Sequence, residues 1–184
     1  MIRVIAGEFR GRKIKGPPRL GIRPMMGIVK EHVFGVLQQR IVDASVLDLF
    51  SGTGSVGIEA LSRGAAHVTF VDTWRVSLKL VEDNLSTLSA ADRADVVAAD
   101  AVRFLETYTG TRTYDIIFVD PPFKYEQWPD VLAPITGVMS PEETTLVLQH
   151  LPDISESTLP EGLERVRHKK FGASQVSMFR YYPE

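Results

Sequence analysis

Cysteine is absent from the 184-residue sequence, and histidine occurs only four times. Without cysteine the chain can form neither a disulfide nor a thiolate metal site, which fits a reducing compartment, and we expect the protein in the cytoplasm. The histidines, at positions 32, 67, 150 and 168, do not have the spacing of metal ligands. We therefore expect no metal site.

Long hydrophobic runs are also missing. No segment approaches the roughly 18 apolar residues that a membrane helix requires, and the N terminus does not have the pattern of a secretory signal. These absences predict a protein with no membrane partner. The hydrophobic content is nevertheless 44%, which over 184 residues supplies one domain with its own core. We expect this domain to act as a monomer.

Charge is distributed unevenly along the chain. The net charge of −2 is not typical of a nucleic-acid-binding protein, but residues 1–24 carry seven basic side chains and one acidic side chain. We interpret residues 1–24 as a basic RNA-binding extension and residues 25–184 as the main domain. Segments 3–5 and 13–15 flank a turn and predict a short two-stranded ribbon; a solvated, partly disordered arm is the alternative. The cations that we expect to bind RNA are Arg3, Arg10, Arg12, Lys13 and Arg23.

The main domain contains a strand, a glycine-rich turn and a helix in succession. Residues 46–50 are strand-like, residues 51–57 read Ser-Gly-Thr-Gly-Ser-Val-Gly, and residues 58–61 favour a helix. Gly52 and Gly54 permit positive φ and a close approach of a ligand to the backbone. This order is typical of nucleotide-cofactor sites in doubly wound sheets. A P-loop is excluded because no Gly-Lys-Ser/Thr follows.

Two further strands end in an acidic residue, the first at Asp72 and the second at Asp100. The carboxyl ends of parallel strands share one edge of the sheet, where open α/β sheets bind their ligands. Asp72 would reach ribose hydroxyls, and Asp100 would meet an adenine amino group. At this point NAD and S-adenosylmethionine are both possible cofactors. The residues that we assign to cofactor binding are Asp48, Phe50, Ser51, Gly52, Thr53, Gly54, Asp72, Thr73, Asp100 and Ala101.

A fourth strand ends in Asp120-Pro121-Pro122-Phe123. Residues 116–119 are apolar and mostly β-branched, as is typical of a strand that is buried on both faces. The prolines stop the strand and keep Asp120 extended. A fixed carboxylate, a rigid carbonyl and an aromatic ring suit a flat, amine-bearing base, although an ordinary Asp-Pro turn is the alternative. We assign Asp120, Pro121, Pro122 and Phe123 as catalytic.

Taken together, these motifs resemble a known family. Residues 48–57, 59–65 and 119–123 are similar to those of Rossmann-like, S-adenosylmethionine-dependent methyltransferases that modify exocyclic amino groups. More narrowly, residues 3–14 and 23–24 resemble the bacterial 16S rRNA guanine-N2 methyltransferases, and the resemblance covers nearly the whole chain. It implies that S-adenosylmethionine is the cofactor. It also implies that the partner is 16S rRNA or the small ribosomal subunit particle.

The implied fold is α/β, with a Rossmann-like, mostly parallel seven-stranded sheet, a C-terminal antiparallel hairpin and a small basic N-terminal ribbon. Residues 163–170 and 175–182 predict the two strands of the hairpin. The predicted helices, from the spacing of apolar residues, cover 27–41, 74–88, 101–108 and 126–138.

The resemblance further implies methylation of the N2 amine of a guanine. Asp120 and the Pro121 carbonyl would each accept one N–H of that amine, and Phe123 would stack on an unpaired or flipped-out base. Asp48 would bind the ammonium group of the cofactor. The motifs are shared with adenine-N6 methyltransferases, and a non-catalytic RNA-binding assembly factor on the same fold also fits. Both stay open as alternatives.

One segment departs from the family pattern. Met25, Gly27 and Ile28 stand where relatives usually have threonine, aspartate and arginine, which removes a hydroxyl and two charges. Methionine is flexible enough to line a base pocket. We therefore expect the substrate to be positioned differently at this segment.

Overall fold

The computed structural model describes residues 2–16, 25–122, 125–151 and 154–183. Its strands are β1 (Ile2–Arg3), β2 (Lys13–Ile14), β3 (Ser45–Leu49), β4 (His67–Asp72), β5 (Ala94–Ala98), β6 (Ile116–Val119), β7 (Thr145–His150), β8 (Leu163–Phe171) and β9 (Ser174–Tyr181). In the ribbon, β1 pairs antiparallel with β2, and the other strands form a sheet of order β5-β4-β3-β6-β7-β9-β8. Strands β3 to β7 are parallel, and β9 and β8 add the antiparallel hairpin. The predicted fold is confirmed.

The sheet changes its direction of growth at β3. From β3 the chain moves outward to β4 and β5 on one side, and then returns to add β6 and β7 on the other side. The loops that follow β3 and β6 therefore leave the sheet at adjacent positions, and such a switch point is where open α/β sheets form a ligand crevice. The glycine-rich turn lies at one of these two ends, and Asp120-Pro121-Pro122 lies at the other.

Helices cover both faces of the sheet. Those in the described ranges are α1 (Gly27–Leu37), α2 (Ser55–Ser62), α3 (Arg75–Thr87), α4 (Ala101–Tyr108) and α5 (Trp128–Ile135). The prediction of one helix over 27–41 is wrong beyond Leu37, because Gln38 has a φ of 44° and the chain continues as a 3-10 turn to Ile41. Similarly, α5 begins two residues later than predicted, at Trp128. None of these helices is long and apolar enough to cross a membrane.

Two hydrophobic clusters, one on each face of the sheet, hold the layers together. One cluster joins α1, α2 and α3 to the sheet, and the other joins α4 and α5 to it. Successive residues of β6 alternate between the two clusters, because side chains along a strand point to opposite faces. This alternation explains why all four positions of residues 116–119 are apolar.

The N-terminal ribbon packs against α2. Glu59 accepts hydrogen bonds from the backbone N–H groups of Ile5 and Ala6, at 2.8 and 3.0 Å. Gly7 has a φ of 84°, and a Cβ atom there would lie 1.8 Å from the carbonyl oxygen of Ser62. Because only glycine permits this approach, the turn of the ribbon lies directly on the last residue of α2.

Candidate active site

A cavity of about 420 Å³ opens at the carboxyl ends of β3, β4 and β6. Its lining includes the predicted residues Asp48, Phe50, Ser51, Gly52, Thr53, Asp72, Thr73, Asp100, Asp120, Pro121 and Pro122. Two other predicted residues are not part of this lining: Gly54 precedes α2, and the buried Ala101 begins α4. Phe123 lies outside the described residues. The cavity therefore brings the predicted cofactor and catalytic segments together.

The glycine-rich turn has an unusual backbone. Gly52 and Gly54 have φ values of 52° and 74°, in the left-handed region that the sequence predicts for them. Phe50 also has a positive φ, 61°, which is strained for a residue with a side chain. A Cβ atom on Gly57 would come within 2.3 Å of the ring of Phe70, so glycine allows α2 to approach β4 closely.

Two carboxylates hold this turn through backbone N–H groups. Asp48 Oδ2 accepts a hydrogen bond from Gly57 N at 2.9 Å. Asp72 accepts one from Gly52 N at 2.9 Å and another from Trp74 N at 2.8 Å. Each carboxylate oxygen has two lone pairs, so both aspartates keep acceptor capacity for a ligand.

Four acidic side chains, Asp48, Asp72, Asp100 and Asp120, line the same cavity, and the described residues of the lining include no lysine or arginine. Burial raises the pKa of Asp48 to about 7, against the opposing hydrogen bond from Gly57, and Asp120 and Asp72 contribute to the rise. Burial also raises the pKa of Asp120 to about 7. A bound cation would favour the ionised form of these groups and lower their pKa values. The cavity therefore suits a positively charged ligand.

Asp100 caps a helix and lines the cavity at the same time. Its Oδ1 accepts hydrogen bonds from Val102 N at 3.0 Å and Arg103 N at 3.2 Å, at the first turn of α4. Because both of these bonds use the same oxygen, capping is compatible with a second bond to a ligand amine.

Two serine hydroxyls in the cavity lining have no hydrogen-bond partner within the described part of the chain. They are Ser51 Oγ and Ser77 Oγ, and both are buried. An unpartnered buried polar group costs about 1–3 kcal/mol, so a polar ligand is favoured there. S-adenosylmethionine fits this set, because it offers ribose hydroxyls, an adenine amine and positive charge. In the same described ranges, no group of three or more His, Cys, Asp and Glu side chains could hold a metal ion.

The sequence did not predict every residue of the lining. Trp74 and Ser77 reach the cavity from the start of α3, and no motif in the sequence indicates their position. Tyr125 follows the Asp-Pro-Pro-Phe motif by two residues, and that proximity could have identified it. Met25 is buried and lines the cavity. Ser55 and Val56 also line the cavity.

Next to the cavity, Asp120 also borders a crevice of about 10 Å³. Trp128 forms part of its wall and is buried, with its ring centroid 5.5 Å from that of Tyr125. Trp128 Nε1 and Gln149 Oε1 are both buried, and neither has a hydrogen-bond partner among the described residues. The crevice is close to the size of one water molecule.

The predicted RNA-binding cations that the structure describes are not part of the cavity lining. Arg3, Arg10, Arg12 and Lys13 are exposed on the ribbon, whereas Arg23 lies outside the described residues. Arg12 Nη2 donates a hydrogen bond to the carbonyl oxygen of Thr87, at 3.0 Å. Thr87 is the last residue of α3, which runs from the carboxyl end of β4 towards the amino end of β5. The turn of the ribbon therefore lies towards the amino ends of the strands, whereas the cavity lies at their carboxyl ends.

Comparison with known proteins identifies the family. A family model described as Conserved hypothetical protein 95 matches residues 2–180. The chain belongs to this family. The Escherichia coli protein named Ribosomal RNA small subunit methyltransferase D is 45% identical over 123 residues, which cover 67% of this chain and 61% of that protein. A Bacillus subtilis protein named as a candidate rRNA methyltransferase is 33% identical over 181 residues, covering 97% of this chain and 98% of that protein.

Solved structures of related proteins have the same fold. A candidate methyltransferase from Escherichia coli superimposes with a TM-score of 0.88 at 32% identity, covering 100% of this chain and 99% of that chain. The resemblance that the motifs indicate, to Rossmann-like methyltransferases and their rRNA branch, is confirmed by the family match and its named members. The alignment with the Escherichia coli small-subunit enzyme spans less than two thirds of that enzyme's length.

Proposed function

We propose that this protein transfers the methyl group of S-adenosylmethionine to the exocyclic N2 amine of a guanine in 16S rRNA of the small ribosomal subunit. One observation carries the proposal: Asp120-Pro121-Pro122 borders the same switch-point cavity as the glycine-rich turn. The names of the rRNA methyltransferase relatives support the choice of substrate. When bound, S-adenosylmethionine supplies an electrophilic methyl group, and the protein supplies alignment.

Different residues of the cavity bind different parts of the cofactor. Gly52 allows the backbone to approach its methionine end, and Asp48 attracts its ammonium group. Asp72 accepts hydrogen bonds from the ribose hydroxyls, and Asp100 accepts one from the adenine amine. The hydroxyl groups of Ser51 and Ser77 gain partners at the same time, since both are unpartnered among the described residues.

Asp120 and Pro121 prepare the amine of the substrate. The lone pair of an aromatic amine is delocalised into the ring, so the nitrogen is a poor nucleophile until it becomes pyramidal. An Asp120 oxygen and the Pro121 carbonyl oxygen each accept one N–H, which turns the lone pair towards the methyl group and disperses positive charge on nitrogen. Asp120 then takes the proton that the amine loses. Phe123 would stack on the base, which must be unpaired or flipped out.

An adenine-N6 methyltransferase, acting on DNA or RNA, is the second candidate. Two acceptors at Asp120 and Pro121 suit the N6 amine of adenine as well as the N2 amine of guanine, because both amines present two N–H donors. The named rRNA relatives favour guanine in RNA, and identification of the methylated base decides between the two.

The deciding experiment is radiolabelled methyl transfer to small-subunit particles, free 16S rRNA and duplex DNA, followed by nuclease digestion to identify the labelled base. Asp120→Ala is compared with Asp130→Ala, since Asp130 is an exposed carboxylate on α5 outside the cavity. We expect label on guanine N2 and a loss of at least about 100-fold in rate for Asp120→Ala only. Cofactor at 100-fold its Kd should still stabilise both variants by about 2.7 kcal/mol.

Each other outcome has a defined meaning. Label on adenine would move the protein to the N6 group. Wild-type rates in Asp120→Ala would contradict the proposed mechanism. Cofactor binding without label on any substrate would indicate a non-catalytic RNA-binding factor.

A further inference from the structure

The outer strand of the hairpin, β8, has cations along one of its faces. Arg167 and Lys169 are exposed, and Phe171 is partly buried. These three residues are spaced two apart, so their side chains lie on the same face of the strand. That face meets α1, where Lys169 Nζ lies 3.5 Å from His32 Nδ1. We call Arg167, Lys169, Phe171 and His32 the edge patch.

Aromatic contacts hold the edge patch together. The rings of His32 and Phe171 have their centroids 5.3 Å apart, and Lys169 Nζ lies 5.3 Å from the centroid of Phe171. Burial lowers the pKa of His32, and the charges of Lys169 and Arg167 lower it further. The imidazole is therefore neutral at pH 7, and the positive charge of the edge patch belongs to Arg167 and Lys169.

These two cations have no acidic partner among the described residues. None of the ion pairs found there includes Arg167 or Lys169, and the exposed Glu31 beside His32 pairs with neither. By contrast, Arg12 and Lys15 on the ribbon are engaged by Thr87 and Asp83. Within the described part of the chain, the edge patch therefore offers positive charge that no carboxylate neutralises.

Strand register places Lys169 of the edge patch level with Asp120, at the carboxyl end of β6. Val119 pairs with Leu148, so Asp120 is level with Gln149 on β7. Gln149 pairs with Val176 on β9, and Val176 pairs with Lys169 on β8. Lys169 is thus level with Asp120 and three strands away, which corresponds to about 14 Å at the usual strand spacing.

We propose that the edge patch binds RNA phosphates next to the target nucleotide, while the target base occupies the cavity beside Asp120. The inference rests on the proposed function for the identity of the polyanion. A base that leaves its helix keeps its flanking phosphates outside the pocket, and cations level with the catalytic carboxylate lie where such phosphates pass. Phe171 and His32 fix the position of Lys169 and leave its ammonium group exposed.

The test is the salt dependence of RNA binding, which needs no turnover. Affinity for a 16S rRNA transcript is measured at several salt concentrations for wild type, Arg167→Gln/Lys169→Gln and a control with the same net charge, Arg40→Gln/Lys79→Gln. Arg40 and Lys79 are exposed cations, and they lie away from the edge patch. Loss of two phosphate contacts should reduce the slope of log K against log salt by about 1.4 for single-stranded RNA. The control should keep the wild-type slope.

An unchanged slope in Arg167→Gln/Lys169→Gln would overturn the proposal, as would an equal change in the control or RNA binding by wild type that does not depend on salt. If the double variant does not fold, Lys169→Gln alone should reduce the slope by about 0.7. The proposed function can fail separately: a wild type that binds RNA through the edge patch but transfers no methyl group would retain this inference and lose the enzymatic one.

Discussion

At the residue scale, the carboxyl group of Asp120 serves the proposed reaction only when it is ionised, since a protonated acid cannot take a proton from the amine. Its pKa is raised by burial to about 7. Because the bound cationic cofactor lowers this pKa, we expect the single-turnover rate to rise about tenfold per pH unit on the acid side and to level off at or below pH 7. A pH–rate profile from pH 4.5 to 9 checks this. A flat profile, with methyl transfer itself rate-limiting, would contradict a base role for Asp120.

Asp48 illustrates a conflict between stability and ligand binding. Its pKa in the folded protein is about 7, above the value of about 3.9 for an unfolded chain, so the folded state holds a proton that the unfolded state loses. Stability therefore falls as pH rises from about 4 to about 7. We expect Asp48→Asn to raise Tm by several degrees at pH 8, to change it little at pH 4, and to weaken cofactor binding at pH 8. Thermal melts with and without S-adenosylmethionine measure all three. An equal Tm change at both pH values would refute this explanation.

At the element scale, a buried ionic network joins the ribbon, α1 and α2. Lys30 Nζ donates to Ser55 Oγ at 2.9 Å and lies 3.7 Å from Glu59 Oε2, while Arg63 Nε lies 2.8 Å from Glu59 Oε1. Lys30 and Glu59 are both buried, and Ser55 lines the cavity. Glu59 also binds the ribbon backbone. One carboxylate therefore connects the N-terminal segment to the rim of the cofactor cavity.

Removal of that carboxylate should be costly. Glu59→Ala leaves Lys30 buried without its counter-charge and releases two ribbon N–H groups, so we expect a loss of about 3–5 kcal/mol in the free energy of unfolding. Glu82→Ala is the matched control, because Glu82 forms an exposed pair with Lys79 and its removal should cost less than about 1 kcal/mol. Urea denaturation compares the two variants. Similar losses in both would show that the network contributes little.

Local sequence signals predicted most of the helices and strands. They did not predict the features that depend on packing between distant segments. The strand that ends at Asp72, the glycine-rich turn and the helix at 101–108 all follow from short-range patterns, and the structure contains each of them. The predicted strand up to Asp100 is wrong at its end, because β5 stops at Ala98 and Asp100 caps α4 instead. The end of α1 could not be predicted, because Gln38 carries no breaker signal and its positive φ follows from how the chain turns towards β3. Ser77 was missed for a similar reason: only the docking of α3 on the sheet brings its hydroxyl to the cavity.

At the scale of the whole molecule, the distribution of charge matters more than its sum. The net charge is −2, yet the molecule carries two groups of exposed cations. One group lies on the ribbon, which packs against α2 and α3, and the other lies on β8, the outermost strand of the hairpin. The acidic groups of the cavity lie at or near the carboxyl ends of β3, β4, β5 and β6, where they would repel a phosphate backbone and attract a cationic cofactor. This arrangement favours RNA that contacts the outside of the fold and presents a single base to the centre.

The contact at Gly7 makes it possible to separate two effects that charge substitutions on the ribbon mix together. Replacing Arg12 would remove a cation and also the bond that ties the ribbon to Thr87. A methyl group at Gly7 alters no charge, yet it would collide with the Ser62 carbonyl oxygen. Gly7→Ala therefore displaces the ribbon without changing its charge. It tests whether the ribbon acts by its position or by its electrostatic field, which no exchange of a lysine or arginine can test alone.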